Sequence, residues 1–254
     1  MPCPDRLSQW SQHVSTAFGH LSKPQVWGLV LWSAGIALSG AAGIAQISAL
    51  LALVLEQQEQ TVFQRLREWY LDGKHKSGKK RRELDVTTCF APLLCWIVGL
   101  WENGNRQMVL VLDATTLGER WTILSISVVI RRCAIPVAWK VLGGHEKGSW
   151  RPHWEGLLQH LEGSIPADWQ VLVMADRGLY ARWLFQAICA CGWHPFLRIN
   201  LGGSQGACRG RGDLRLDQPL DAEAGDEVER QGGVLCRQSQ PLDVYLADAL
   251  GGRL

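Results

Sequence analysis

Two aspartates each close an apolar, strand-like run. Asp113 follows Met108-Val109-Leu110-Val111-Leu112, and Asp176 follows Trp169-Gln170-Val171-Leu172-Val173-Met174-Ala175. A carboxylate carried by a run that must be buried is costly unless it is paired or binds a cation. Two such carboxylates at the same end of one sheet form a site for a hard divalent metal, which takes oxygen ligands. Mg²⁺ or Mn²⁺ held in this way does phosphoryl-transfer chemistry in nucleases and polymerases.

The elements around the two aspartates say how they would be positioned. Glu102-Asn103-Gly104-Asn105 is a turn, and the periodicity changes after it. Gln107 to Leu112 reads as a strand, Trp121 to Arg131 as a second, and Ala134 to Leu142 as a third. Pro136 places the third at a sheet edge. Arg131-Arg132-Cys133 is the tight link before it. Trp150 to Leu161 reads as a helix, Gln170 to Ala175 as a fourth strand, Leu179 to Cys191 as a helix and Pro195 to Ile199 as a fifth strand. Three meandering strands and two crossover units give an α/β fold with a mixed five-stranded sheet. The first and fourth strands are then parallel neighbours. Asp113 and Asp176 would emerge side by side at their carboxyl ends, where open α/β sheets bind ligands.

The amino-terminal part has a different character. No charged residue occurs from Pro24 to Leu55. The run reads either as a membrane span or as two helices, Val26 to Leu38 and Ala41 to Leu55, broken at Ser39-Gly40. Gln57 to Leu71 continues as a helix, with Phe63, Leu66, Trp69 and Tyr70 at helical spacing. Leu84 to Leu100 reads as one or two more helices, with Pro92 near a start. Between them lies Lys74 to Arg82, KHKSGKKRR, in which every residue but Ser77 and Gly78 is basic. Such a run is a solvated loop or a phosphate contact. Helices around a basic segment are the usual build of a small DNA-binding domain, and a plain helical bundle has the same composition.

Composition excludes several classes. The 254 residues are 47% hydrophobic and 20% charged, so the chain is globular rather than disordered. A net charge of +2 means that any nucleic-acid role rests on local charge. The eight cysteines show no CxxC pair or His-spaced partner, which argues against zinc and for reduced thiols. His145-Glu146 and His153 lack metal spacing. No phosphate-binding glycine loop precedes Lys-Ser or Lys-Thr. Tyr70, Tyr180 and Tyr245 lack the His-hydrophobe-His partner of single-strand nicking enzymes. Of the thirteen tryptophans, one or two are candidates to stack on bases, and the sequence does not choose among them.

The strand order, with an Asp closing the first and fourth strands, is similar to the ribonuclease H-like core. Val109-Leu110-Val111-Leu112-Asp113-Ala114-Thr115-Thr116 resembles the first acidic motif of DDE transposases of the insertion-sequence-four type. Met174-Ala175-Asp176-Arg177-Gly178-Leu179-Tyr180 resembles their second motif, Asp-Arg-Gly after a strand. Gly192 to Ile199 looks like the segment that follows it. The helical part, broken at Leu38-Ser39-Gly40, looks like the group's DNA-binding region. The resemblance covers roughly residues 25–200.

The resemblance implies DNA cleavage and strand transfer at transposon ends by two-metal catalysis, with water or a DNA 3′-hydroxyl as nucleophile. Asp113 would bridge two Mg²⁺ (or Mn²⁺) ions and Asp176 would bind one. Thr115 or Thr116 is a candidate to position a coordinated water. Arg177 is a candidate phosphate contact, beside Lys74, Lys76, Lys79, Lys80, Arg81 and Arg82 as DNA-binding residues. The family's third acid is a Glu in a Tyr, Arg, Glu, Lys signature along one helix, and no such helix is legible here. Glu223, Glu227 and Glu229 lie in an acidic stretch that reads as a loop.

The expectation is a transposase truncated before its last catalytic residue. It would have a helical DNA-binding domain at 1–103, a ribonuclease H-like core at 104–200 and the start of a β-rich insertion at 201–254, with Leu214–Leu216, Val234–Cys236 and Asp243–Leu246 as candidate short strands. Partners would be double-stranded DNA (transposon ends and target) and a second copy as a homodimer, in a prokaryotic cytoplasm near the nucleoid, with no membrane. Loss of one acid of three would cost about a hundredfold or more in rate. Two alternatives stand beside it. One is a non-catalytic DNA-binding or inhibitory relative that dimerises with a complete copy. The other is a membrane-associated helical protein with an α/β domain.

Overall fold

The computed structural model describes residues 4–76, 83–101, 106–144, 146, 148–198, 228–231 and 234–237. The chain divides into two compact units, Met1–Trp96 and Ile97–Leu254.

The first unit is built from helices: α1 (Pro4–Ala17), α2 (Lys23–Ser39), α3 (Ile44–Leu55), α4 (Glu59–Tyr70) and the start of α5 (Phe90–Gly99). The uncharged run does break where its small residues suggest. Gly40 closes α2 in the left-handed region at φ 63°, a conformation glycine adopts without steric cost. Its N–H reaches the Ile36 carbonyl at 2.9 Å. α2 and α3 then meet at 97°. Among the described residues no single helix is long and apolar enough to cross a membrane, and only this bent pair reaches that length and composition jointly. Leu31, Ile47, Leu51, Val62 and Leu66 of α2, α3 and α4 are fully buried together. The helix expected from Gln57 to Leu71 begins at Glu59, because Glu56 sits at φ 52° and Gln58 is extended.

Tryptophan packing ties this unit together. α1, which the sequence patterning did not single out, buries Leu7 and Val14, with Phe18 just past its end, against Val26 and Val30. Trp10 lies 5.6 Å from Trp96, centroid to centroid, and donates its Nε1–H to Ser33 Oγ at 2.8 Å. The Trp69 indole crosses α2 at Gly28 and donates to the Gln25 carbonyl at 3.0 Å.

The second unit is α/β, with one mixed sheet in the order β3-β2-β1-β4-β5-β7-β6. The strands are β1 (Gln107–Leu117), β2 (Trp121–Ile130), β3 (Cys133–Gly143), β4 (Gln170–Ala175), β5 (His194–Arg198), β6 (Val228–Gln231) and β7 (Val234–Arg237). Pairs β1–β4 and β4–β5 are parallel and the rest antiparallel. α6 (Arg151–Leu161) packs on β3, α7 (Arg182–Ala190) packs on β5, and the two helices pack on each other. β3 is an edge, and the register shift in its ladder with β2 falls beside Pro136, where a ladder donor is missing. The β2–β3 hairpin turns at Arg131 and Arg132, both at positive φ (46° and 69°). A two-residue turn needs that twist, although Asn-Gly meets it at lower cost.

Three expectations need correction. β1 does not end at Leu112. It continues to Leu117, paired with Trp121–Leu124 of β2 after β4 has stopped, so Asp113 lies within the strand. The helix expected from Leu179 starts at Arg182, because Ala181 is extended (φ −157°, ψ 145°) and Arg177–Leu179 forms a 3₁₀ turn. The five expected strands form β1–β5 of the mixed sheet, and the correction lies beyond them, where β7 and β6 extend it past β5. The expected strand at Val234–Cys236 is β7, but its partner β6 falls in the acidic stretch read as a loop. Val228-Glu229-Arg230-Gln231 has one apolar residue and shows no alternation. The candidate strands Leu214–Leu216 and Asp243–Leu246 lie outside the described residues.

The close approach of Trp69 to α2 has a measurable consequence. A Cβ at Gly28 would stand 1.8 Å from Trp69 Cδ1. Gly28→Ala is expected to destabilise the protein by about 1–3 kcal/mol through overpacking, despite the ~1 kcal/mol helix-propensity gain of Ala over Gly. Urea unfolding reads the difference, and a stabilised variant would contradict the packing described.

Candidate functional site

The parallel ladder of β1 and β4 runs from Gln107 opposite Gln170 to Leu112 opposite Ala175. Asp113 and Asp176 are each the next residue along, so they stand at the same register step. The start of the ladder is clamped. The Arg106 guanidinium pairs with Asp168. Gln170 N–H donates to the Arg106 carbonyl at 2.7 Å, and the Gln107 and Gln170 amides meet at 3.2 Å. Met108, Val109, Leu110 and Leu112 of β1, and Val171, Leu172 and Val173 of β4, are buried. Such nearly continuous apolar runs are typical of parallel strands covered on both faces. Both aspartates are exposed, so the ladder delivers two carboxylates to solvent at its open end.

Each carboxylate has a neighbour. The Thr115 hydroxyl, two residues along β1 and therefore on the same face, donates to Asp113 Oδ2. Thr116 stands across from Thr122 of β2. Arg198 Nη1 lies 3.8 Å from Asp176 Oδ1. Leu197 pairs with Ala175, so Arg198 is at the same register step on the far side of Asp176. One edge thus presents Asp113, Asp176 and Arg198 from three neighbouring strands. Arg198 is not legible as a site residue in the sequence, where β5 reads as running to Ile199 and the Arg falls inside the strand. The signal available was a cation after the apolar Phe196-Leu197 pair.

The other candidate residues are less central. Arg177 contributes its backbone to the 3₁₀ turn after Asp176. In the amino-terminal unit Lys74 Nζ lies 4.0 Å from Asp72, and Lys76 Nζ donates to the Trp69 carbonyl at 3.1 Å. Lys79, Lys80, Arg81 and Arg82 lie outside the described residues, as do Glu223 and Glu227. Glu229 contributes its backbone to β6. His153 Nε2 lies 3.4 Å from Glu146 Oε1.

Metal chemistry can be judged from the donors. Among the described residues no group of three or more His, Cys, Asp or Glu side chains is placed to hold an ion. Cys89, Cys95, Cys133, Cys189 and Cys191 form no disulfide. Burial pushes the Cys89 and Cys191 thiols up, so they stay protonated near neutral pH, which is the wrong state for a thiolate ligand. Two carboxylates at one step fit a single Mg²⁺-like cation, which keeps several waters and takes one or two carboxylates together with substrate phosphates.

Arg198 places a positive charge beside one of those two carboxylates. Both groups are largely exposed, the side chains 59% and 76%, so the pair is weak. Removing the competing cation by Arg198→Ala is expected to tighten Mn²⁺ binding about two- to fivefold. Arg198→Lys should stay near wild type. Calorimetric titration measures both, and weaker binding in Arg198→Ala would contradict the placement.

No protein-family model matches the chain, and no curated protein matches it. Among solved structures the chain is similar to the Mos1 strand transfer complex, with 13% identity and a TM-score of 0.24. The match covers 66% of this chain and 56% of that chain, so this protein spans little more than half of its length. A likeness of that size carries no weight for family or function.

Proposed function

We propose that the second unit is a ribonuclease H-like core, of the kind found in DDE transposases of the insertion-sequence-four type, acting on double-stranded DNA. The observation that supports this reading is the β1–β4 register, which brings Asp113 and Asp176 to one step at the open end of the sheet. The strand order β3-β2-β1-β4-β5, with the acids on the two central parallel strands, agrees with it.

In this reading Asp113 and Asp176 hold a divalent cation, Mg²⁺ or Mn²⁺. Bound there, the cation would neutralise charge on a phosphodiester and lower the pKa of the attacking hydroxyl or water. Thr115 fixes the Asp113 carboxylate by its hydrogen bond, which limits its rotamers before metal arrives. Arg198 meets a non-bridging phosphate oxygen once the cation has taken its place beside Asp176. The basic stretch from Lys74 to Arg82 gives sequence-independent attraction to the DNA backbone. A homodimer would place two such edges on two DNA ends.

A second reading has its own support. The pair has no third acid among the described residues, so a protein that binds DNA without cutting it also fits. A nicking assay on supercoiled DNA with Mg²⁺ or Mn²⁺ separates the two. The catalytic reading expects slow nicking by the wild type, reduced about a hundredfold or more in Asp113→Ala and in Asp176→Ala. Nicking that survives both substitutions would sink it. Retarded DNA migration without nicking would favour the non-catalytic reading.

A further inference from the structure

The β2–β3 hairpin places two arginines where the backbone disfavours them. Ile130 pairs with Cys133, so Arg131 and Arg132 are the whole of the turn between them. Both lie in the left-handed region, at φ 46° and 69°. That conformation brings Cβ too close to the following carbonyl oxygen. Two-residue hairpin turns are therefore dominated by Asn-Gly and Asp-Gly, which adopt it at low cost. Arginine has neither the short polar side chain of Asn nor the missing Cβ of Gly. Residues held in sparsely populated backbone regions persist where the surrounding structure over-determines them, and they cluster at functional sites. Here the ladder from Trp121 opposite Gly143 to Ile130 opposite Cys133 holds the turn in place.

A second observation concerns charge. From Trp121 to Gly143 the charged residues are Arg131, Arg132 and Lys140, and none is acidic. Both turn arginines are exposed. Arg106, at the same end of β1, is by contrast paired with Asp168. An apolar partner would gain nothing from two adjacent guanidiniums, and a cation would be repelled. Each guanidinium offers a planar fork of N–H donors that matches two oxygens of a phosphate. The position of the turn is set by the β1–β2 ladder. Asp113 stands opposite Ser125, and Arg131 comes six residues after Ser125. At roughly 3.4 Å per strand residue the turn is about 20 Å from the carboxylate pair. That distance is about six base pairs of duplex.

We infer that the Arg131-Arg132 turn is a phosphate-binding site, which holds the backbone of a DNA duplex about six base pairs from the carboxylates. The inference rests on the DNA-binding reading above and adds a second contact to the same substrate. The basic stretch from Lys74 to Arg82 belongs to the other compact unit, so the turn gives the unit that carries Asp113 and Asp176 a DNA contact of its own. Contacts of this kind fix position and register and read no base sequence. The strain in the turn is then the structural cost of placing charge there. Asn-Gly would fold better and bind worse.

The test uses the full chain without divalent cation, so that binding is read apart from cleavage. Affinity for a short random-sequence duplex is measured from low to moderate salt, and melting is followed in parallel. Arg131→Asn/Arg132→Gly installs the favoured turn and removes both charges. It is expected to melt about 2–8 °C higher than the wild type. It should also bind DNA about tenfold more weakly and lose about two from the slope of log affinity against log salt. Arg131→Lys/Arg132→Lys keeps the charge and should keep the slope. Arg6→Gln/Lys140→Gln removes the same net charge from exposed positions outside the turn and should bind as the wild type does. A Asn-Gly variant that melts higher yet binds DNA like the wild type would make the turn merely structural and overturn the inference. An equal loss in Arg6→Gln/Lys140→Gln would overturn it too, as would tighter binding of polyglutamate than of DNA, which would assign the turn to an acidic protein. A wild-type chain without affinity for DNA would overturn the inference together with the DNA-binding reading. A lost slope in a chain that never nicks DNA with Mg²⁺ would keep the turn site and remove the catalytic reading alone.

Discussion

The backbone ladder between β1 and β4 is the constraint on which the rest depends. Side chains alternate along a strand, so a slip of one residue would carry Asp113 to the other face of the sheet relative to Asp176. The slip is opposed at the start and in the middle. Arg106, Asp168, Gln107 and Gln170 fix the start. The fully buried Leu110 and Val173 lie opposite each other near the centre. Each such side chain contributes on the order of 1.5–3 kcal/mol when buried, and a shifted ladder would have to repack all of them. β2 and β5 pair on either side, so the register is set by three ladders rather than one. Two hydrophilic groups are thereby held at the open end by the packing of apolar residues along the ladders.

The extension of β1 past β4 changes the character of the edge. Among the described residues β1 pairs with β2 alone beyond Leu112, and Asp113 sits where the parallel pairing stops. One side of the carboxylate is backed by an antiparallel ribbon while the side toward β4 opens to solvent. The Thr115 hydroxyl lies on that ribbon, so a rigid strand rather than a loop presents its contact to Asp113. Asp176, by contrast, leaves β4 into a 3₁₀ turn that leads to an aromatic cleft between the starts of α6 and α7. A strand-borne acid and a turn-borne acid share one register step, and an arginine on β5 completes the row. Local pieces that are unremarkable singly acquire chemical meaning from this shared position.

Much of this was legible from the chain alone. The apolar runs before Asp113 and Asp176 are strands because both faces of a parallel strand are buried, which leaves an unmistakable pattern. The break at Gly40 was visible because Ser39-Gly40 interrupts an otherwise uniform helical stretch. The full length of β1 was not, since Thr115, Thr116 and Leu117 are all exposed and show no apolar alternation, and the pairing partner lies beyond a turn. β6 was hidden because Glu229, Arg230 and Gln231 carry no apolar periodicity. The aromatic cleft was also out of reach. Trp150, Trp154, Tyr180 and Trp183 lie on two elements separated by a strand, and only the packing of α6 on α7 brings them together.

The claim at the centre is that Asp113 and Asp176 share one cation. Crystals of the chain soaked in Mn²⁺, with anomalous scattering recorded at the manganese edge, test it directly. A single strong peak is expected at the open end of β1 and β4, with an oxygen of each carboxylate at a coordinating distance. Density only at other sites, or two carboxylates turned apart with no ion between them, would contradict it.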